Sequence, residues 1–313
     1  MRALSASDVA QLLDYPTLID RLEAAFRAGP ATTVPVRHHH AVGGPDATLL
    51  LMPAWNDRFL GVKVATVYPG NAVKGLASVM ATYLLLDGTS GAPLALVDGR
   101  ELTLRRTAAA SALASRFLAR PDSRHLLMVG TGALAPHLVR AHAGVRPLRQ
   151  VTVWGRTPAK AHKLAADLGD LGLPVTASES LARAVMEADI ISCATMAREP
   201  LIHGAWLTPG VHVDLVGGYT PAMREADDAT MALACIYVDT RAGALQEAGD
   251  IVDPMARGVI AAHDVIGDLF DLAGERCPRR IQDSDITLFK SVGSAIEDLA
   301  GAVLAFERAQ AYV

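Results

Sequence analysis

The run His125-Leu-Leu-Met-Val-Gly-Thr-Gly-Ala-Leu-Ala135, followed by Gln150-Val-Thr-Val-Trp-Gly-Arg156, constrains the fold more than any other part of the chain. It spells a buried strand, a glycine turn, a helix start and a second strand that ends beside a basic residue. This is the layout of a dinucleotide-binding βαβ unit. Gly130 permits the tight turn, and Gly132, with Thr131, Ala133 and Leu134 around it, lets backbone N–H groups approach a pyrophosphate at a helix N-terminus. Ala135 is small enough for helix and strand to pack closely. An NAD site would place Asp or Glu at the end of the second strand, to accept a hydrogen bond from the ribose 2′-hydroxyl. Gly155, Arg156 and Thr157 stand there instead and suit a 2′-phosphate, so the expected cofactor is NADPH, with NADH as second choice. A glycine turn in an unrelated α/β protein is the bland alternative. The strand before and the helix after favour the dinucleotide.

The 313 residues suffice for two domains, and 51% hydrophobic against 20% charged residues supplies a large core. A net charge of −4 with no basic block offers no footprint for nucleic acid. No stretch of 18 residues lacks a charge, and Asp8, Asp14 and Asp20 interrupt the first twenty, so neither a membrane span nor a signal peptide is expected. Cys193, Cys235 and Cys277 are odd in number and far apart, as for reduced thiols. A soluble cytoplasmic protein is the expectation.

Residues 5–28 read as two helical segments broken at Pro16. Strand-like runs follow at Val34–His40, Thr48–Met52, Leu60–Tyr68, Val79–Asp87 and Leu94–Asp98, the last two joined by Asp87-Gly-Thr-Ser-Gly91 as a hairpin. A helix from about Glu101 to Ala119 leads into alternating strands and helices. Strands are predicted at Leu126–Val129, Val151–Trp154, Val175–Ala177, Ile190–Cys193, Val211–Leu215 and Ile236–Val238. Such alternation implies a parallel sheet covered by helices. Gly293–Val313 reads as one amphipathic helix returning to the first domain. The fold class is therefore α/β, a Rossmann-type nucleotide domain at 120–292 inserted into an α+β substrate and dimerisation domain at 1–119 plus 293–313.

Lys63 stands in an apolar strand, where an unpaired ammonium is costly. It faces a polar cavity or anion, or else is an edge lysine that deters aggregation; this run alone does not choose. Arg105 and Arg106 point about 100° apart on a helix, so one of them at most enters a cleft. That arginine could grip a carboxylate bidentately. His38, His39 and His40 follow Arg37 on a strand and alternate faces, which is poor metal geometry, and no metal is expected.

Together the segments resemble the ornithine cyclodeaminase/μ-crystallin family. The likeness runs through Lys63 with Pro69-Gly-Asn71, Gly75-Leu-Ala-Ser78 and Leu102-Thr-Leu-Arg105-Arg106-Thr107-Ala-Ala-Ala-Ser111. It continues through Val129–Ala135, Val153–Thr157, Cys193–Ile202, Val216-Gly-Gly-Tyr-Thr-Pro-Ala-Met-Arg-Glu225 and Leu288-Phe-Lys-Ser-Val-Gly293. The resemblance implies a homodimer whose interdomain cleft binds a cyclic imino acid, or its amino-acid parent, beside nicotinamide. By the same resemblance Lys63 and Arg106 contact the substrate carboxylate, with Arg37 as a third contact. Ser78 and Thr107 match polar positions near substrate and cofactor phosphate. Thr195, Gly217 and the turn Ser291-Val292-Gly293 match the nicotinamide end.

Cyclodeaminases of this family carry an aspartate after the paired glycines, where Tyr219 stands here. A tyrosine, un-ionised at neutral pH, cannot replace that carboxylate. The segment is instead similar to the ketimine reductases, particularly those of Δ1-pyrroline-2-carboxylate in hydroxyproline breakdown. The implied activity is NAD(P)H-dependent reduction of that C=N bond to L-proline, and of the six-membered homologue to L-pipecolate. Its rivals are an ornithine or lysine cyclodeaminase using catalytic NAD+, and a non-catalytic NADPH-dependent ligand-binding protein.

Overall fold

The computed structural model of the chain describes residues 1–43 and 47–311. The elements begin with β1 (Arg2–Leu4), α1 (Ala6–Leu12), α2 (Tyr15–Ala28), β2 (His38–Ala41), β3 (Thr48–Trp55) and β4 (Phe59–Val67). Next come β5 (Val79–Asp87), β6 (Pro93–Asp98), α3 (Gly99–Leu118), β7 (His125–Val129), α4 (Ala135–Ala143), β8 (Gln150–Trp154) and α5 (Pro158–Asp167). They continue with β9 (Val175–Ala177), α6 (Leu181–Glu187), β10 (Ile190–Cys193), β11 (His212–Leu215), α7 (Asp228–Leu233), β12 (Cys235–Val238) and α8 (Arg241–Glu247). The last are α9 (Gly249–Ala256), β13 (Val265–Asp268), α10 (Leu269–Ala273), β14 (Thr287–Lys290) and α11 (Ala295–Ala311). Contacts divide the chain into Met1–Thr107 with Ser294–Val313, and Ala108–Gly293, so the division falls inside α3.

In the first unit the sheet order is β1-β6-β5-β4-β3-β2, antiparallel except for the β1–β6 pair. The helical break falls at Leu13-Asp14 rather than at Pro16. Asp14 caps α2 by accepting from Thr17 N, and Pro16 sits in the first turn, where a missing N–H costs nothing. The expected hairpin between β5 and β6 is present. Asp87 Oδ1 organises it, accepting from the N–H and hydroxyl groups of both Thr89 and Ser90. Strand β2 is shorter than its apolar run, beginning at His38. Strand β1, only three residues long, carried no readable pattern.

The final helix is not amphipathic. Every residue from Ala295 to Phe306 is buried, and α11 packs on α1, α2, β3, β4 and β5. Its polar residues Glu297 and Asp298, which gave the amphipathic pattern, meet buried cations instead of water. The helix is seen to Ala311; Tyr312 and Val313 lie outside the described residues.

The second unit holds eight parallel strands in the order β13-β12-β14-β11-β10-β7-β8-β9. All five residues of β7 are buried, as are all four of β10, β11 and β14, as in parallel sheets covered on both faces. Strands β13 and β14 went unpredicted because Gly267 interrupts one apolar run and a lysine ends the other. The strand order reverses between β7 and β10, where open parallel sheets bind dinucleotides. Among the described residues no helix is long and apolar enough to cross a membrane.

Candidate active site

In the first unit Lys63 points to the covered face of the sheet, beside its cross-strand partner Tyr83, and is 3% exposed. Its Nζ lies 2.9 Å from Oδ1 and 2.8 Å from Oδ2 of Asp298, itself fully buried on α11. The 100° separation of the two arginines decides their fates. Arg105 turns away, bonding Glu101 and the Leu13 carbonyl and stacking on Tyr15. Arg106 turns inward, buried, with Nη1 2.6 Å from Glu297 Oε2 and Nε 2.8 Å from Asp298 Oδ1. Arg37, half-buried just before β2, acts on Lys63 and on Asp298 through space.

Lys63 and Arg106, both buried, are thus gathered on the buried carboxylates Asp298 and Glu297. Cations fixed in this way suit the carboxylate of an organic anion. Burial first, then repulsion by Arg106, lowers the Lys63 ammonium to about 8 although Asp298 opposes both. Burial alone would raise the Asp298 carboxyl, but Arg106 and Lys63 outweigh it and hold it below the usual range. Ser78 is half-buried immediately before β5, and Thr107 follows Arg106 on α3. His38 and His40 lie edge to face on β2, their ring centres 6.4 Å apart and both exposed. Among the described residues no cluster of three His, Cys, Asp or Glu side chains could hold a metal.

In the second unit the glycine turn opens a cleft of about 780 Å3, lined by Gly130, Thr131 and Gly132 after β7, Arg156 and Thr157 after β8, and Thr195 after β10. Gly130 has φ 117°, and a Cβ there would lie 2.5 Å from the Ala194 carbonyl oxygen, so only glycine fits. Gly132 has open space where its Cβ would stand, which leaves its backbone approachable. Ala133 and Leu134 complete the turn, and α4 starts at Ala135 with its N-terminus at this end of the sheet; there Ala135 N donates to Gly132 O and His137 N to Leu134 O. Arg156 is exposed at the end of β8, and Lys160 on α5 lines the same cleft. The glycine cradle, the positive end of the helix dipole and the basic pair fit a dinucleotide.

Several side chains escaped the sequence reading. Glu225 binds the backbone at Thr195, Gly217 and Gly218, and Asp239 Oδ2 accepts from Val292 N at 2.7 Å and Gly293 N at 2.6 Å. Ser291, between Lys290 and these amides, is buried. Tyr219 packs against the core of the unit, and burial pushes its phenol further up, so it stays un-ionised.

A parallel sheet with a glycine turn at its switch point defines a dinucleotide-binding α/β protein. The chain belongs to the ornithine cyclodeaminase/mu-crystallin family, which it matches over residues 2–312. It is 42% identical to the Δ1-pyrroline-2-carboxylate reductase of Paracoccus denitrificans, across 94% of this chain and 95% of that one. A solved structure of the Thermococcus litoralis Δ1-pyrroline-2-carboxylate reductase, in complex with NADH and L-proline, is 37% identical. It superposes with TM-score 0.96 over 100% of this chain and 98% of that one. An archaeal alanine dehydrogenase dimer with bound NAD, 28% identical, gives TM-score 0.94 over 100% and 97%.

Proposed function

We propose that this chain reduces the C=N bond of Δ1-pyrroline-2-carboxylate, and of its six-membered homologue Δ1-piperideine-2-carboxylate, to L-proline and L-pipecolate. The observation that carries the reading is the pair of buried cations, Lys63 and Arg106, fixed side by side on Asp298 with Glu297 bracing Arg106. Lys63 and Arg106 take the substrate carboxylate, held in place by Asp298 and Glu297, and so fix the ring that bears the imine. A bound dihydronicotinamide supplies the hydride. The substrate enters as the protonated iminium, so hydride addition at carbon neutralises it and leaves the amine. Lys63, near 8, retains its proton at neutral pH and can return one to the ring nitrogen. Tyr219, packed and un-ionised, offers no carboxylate for releasing ammonia from ornithine, which weighs against the cyclodeaminase reading.

The deciding assay follows NADPH and NADH oxidation at 340 nm with the five- and six-membered imino acids. An ornithine and NAD+ control scores ammonia release. Oxidation with either imine is expected; none with both, or ammonia from ornithine, removes the reductase reading.

NADPH is proposed as the preferred cofactor, with Arg156 and Lys160 on its 2′-phosphate. Arg156→Glu is expected to weaken NADPH by about 10- to 100-fold, the worth of a charge-assisted contact, and to leave NADH within about three-fold. Equal changes in the two dissociation constants would remove Arg156 from the phosphate site.

We further propose a homodimer through the uncovered sheet face, which suits the dimeric state named for the archaeal relative. Strand alternation puts Leu51, Val62, Val64, Met80, Leu84 and Leu96 there, and Val64, Met80 and Leu96 are 39 to 43% exposed. So apolar a surface is unusual for a monomer. The wild type should elute at twice the chain mass and Val64→Asp at the chain mass. A Val64→Asp dimer would place the interface elsewhere.

A further inference from the structure

Glu225 takes no part in the chemistry above, yet four hydrogen bonds converge on its carboxylate. Oε1 accepts from Thr195 N at 2.7 Å and from Thr195 Oγ1 at 2.8 Å. Oε2 accepts from Gly217 N at 2.7 Å and Gly218 N at 3.2 Å. The residue is fully buried, and so are the two charged groups packed with it. Lys290 Nζ lies 3.8 Å from Glu225 Oε2 and 3.2 Å from Asp250 Oδ2. Asp250 Oδ1 in turn accepts from Glu225 N at 2.7 Å and Ala226 N at 3.0 Å, which fixes the backbone that carries the carboxylate.

The bonded segments have a definite place on the sheet. Thr195 follows β10 and the paired glycines follow β11, while Arg156 follows β8 on the other side of β7. A dinucleotide straddling the switch point with its ribose phosphate at Arg156 sets its nicotinamide half over the ends of β10 and β11. The two segments meet there backbone to backbone. A Cβ on Gly217 would lie 1.9 Å from Thr195 O and 2.6 Å from Glu225 Oε1, so no side chain fits between the two segments and the carboxylate that ties them.

We infer that Glu225 is the positioning residue for the nicotinamide half of the cofactor, acting through Thr195, Gly217 and Gly218 rather than by touching cofactor or substrate. The inference rests on the dinucleotide reading of the cleft. Burial, with Asp250, raises the Glu225 carboxyl, while Lys290 and the bonds from Thr195 oppose them; four donors converging on its two oxygens call for the acceptor-only carboxylate. Protonated, or replaced by an amide, the group would turn a donor toward amides that are themselves donors.

The test compares NADPH with 2′-phospho-ADP-ribose, which keeps the adenine half and lacks nicotinamide. In Glu225→Gln the NADPH dissociation constant should rise about 10- to 100-fold, the consequence of a buried donor left unmatched. The fragment should bind within about two-fold of wild type. Thr195→Val, which removes one of the four bonds, should show the same selective loss on a smaller scale, and Thr195→Ser should restore binding. These milder variants report if Glu225→Gln does not fold. Equal weakening of both ligands, or of neither, overturns the inference alone. A wild type that binds neither nucleotide overturns the dinucleotide reading and the inference with it.

Discussion

Lys63→Met is expected to lower kcat/KM for Δ1-pyrroline-2-carboxylate by about 10- to 1,000-fold, while the NADPH dissociation constant stays within about two-fold. A hydrogen bond to a charged group contributes about 1.5–3 kcal/mol, and each 1.36 kcal/mol is a factor of ten in rate. The upper end of that range adds the loss of ring orientation. Steady-state kinetics with a parallel fluorescence titration of NADPH separates the two effects. The pH profile supplies an independent check. Lys63 is lowered to about 8, so the free protein holds the ammonium below that pH and loses it above. Wild-type kcat/KM should therefore fall as pH rises through about 8. A bound carboxylate favours the ammonium, so the matching limb in kcat should lie higher. In Lys63→Arg the guanidinium remains charged throughout, and the limb near 8 should vanish. Unchanged kcat/KM in Lys63→Met, or an alkaline limb that survives in Lys63→Arg, would remove Lys63 from the carboxylate site.

Much of this was legible in the sequence, and the reason is local. The glycine turn is a backbone requirement at Gly130, where any side chain would strike the Ala194 carbonyl, so its chemistry is written in two or three adjacent letters. Helix geometry allows only one of Arg105 and Arg106 inward, the resemblance points to Arg106, and the carboxylates of α11 are what it meets there. What escaped was the countercharge. Glu297 and Asp298 sit in the run Ala-Ile-Glu-Asp-Leu-Ala-Gly-Ala-Val, and carboxylates inside so apolar a stretch carry the same signal that singled out Lys63. Their periodicity imitated an amphipathic helix, because a polar stripe facing a buried cation is indistinguishable by spacing from one facing water. Lys290 was missed for a related reason. Like Lys63 it occupies an apolar strand, but its partners Glu225 and Asp250 lie 65 and 40 positions away, and no local pattern joins them.

The buried countercharge makes the second large prediction. Asp298→Asn is expected to destabilise the protein by about 3–5 kcal/mol at neutral pH, the usual cost of removing one partner from a buried ion pair. Lys63 would then lose the carboxylate it contacts, while Arg106 keeps its pairing with Glu297. The folded-state carboxyl lies below its ordinary value, so its stabilisation is complete above the unfolded range and is lost as pH falls through the folded value. The stability gap between wild type and variant should therefore be flat near neutrality and narrow in acid, as read by urea titration at several pH values. The variant should also respond more strongly to a carboxylate ligand. Removing Asp298 takes one negative charge from beside Lys63 and Arg106, so an anion that binds the folded state gains affinity and stabilises it by RT ln(1 + [L]/Kd). Pyrrole-2-carboxylate, a planar five-membered ring carboxylate without a basic nitrogen, isolates that term. It should raise the Tm of Asp298→Asn further than that of the wild type at equal concentration. An equal shift in both proteins would mean that Asp298 and the ligand carboxylate do not share the same cations, and the carboxylate site would have to be sought away from Lys63 and Arg106.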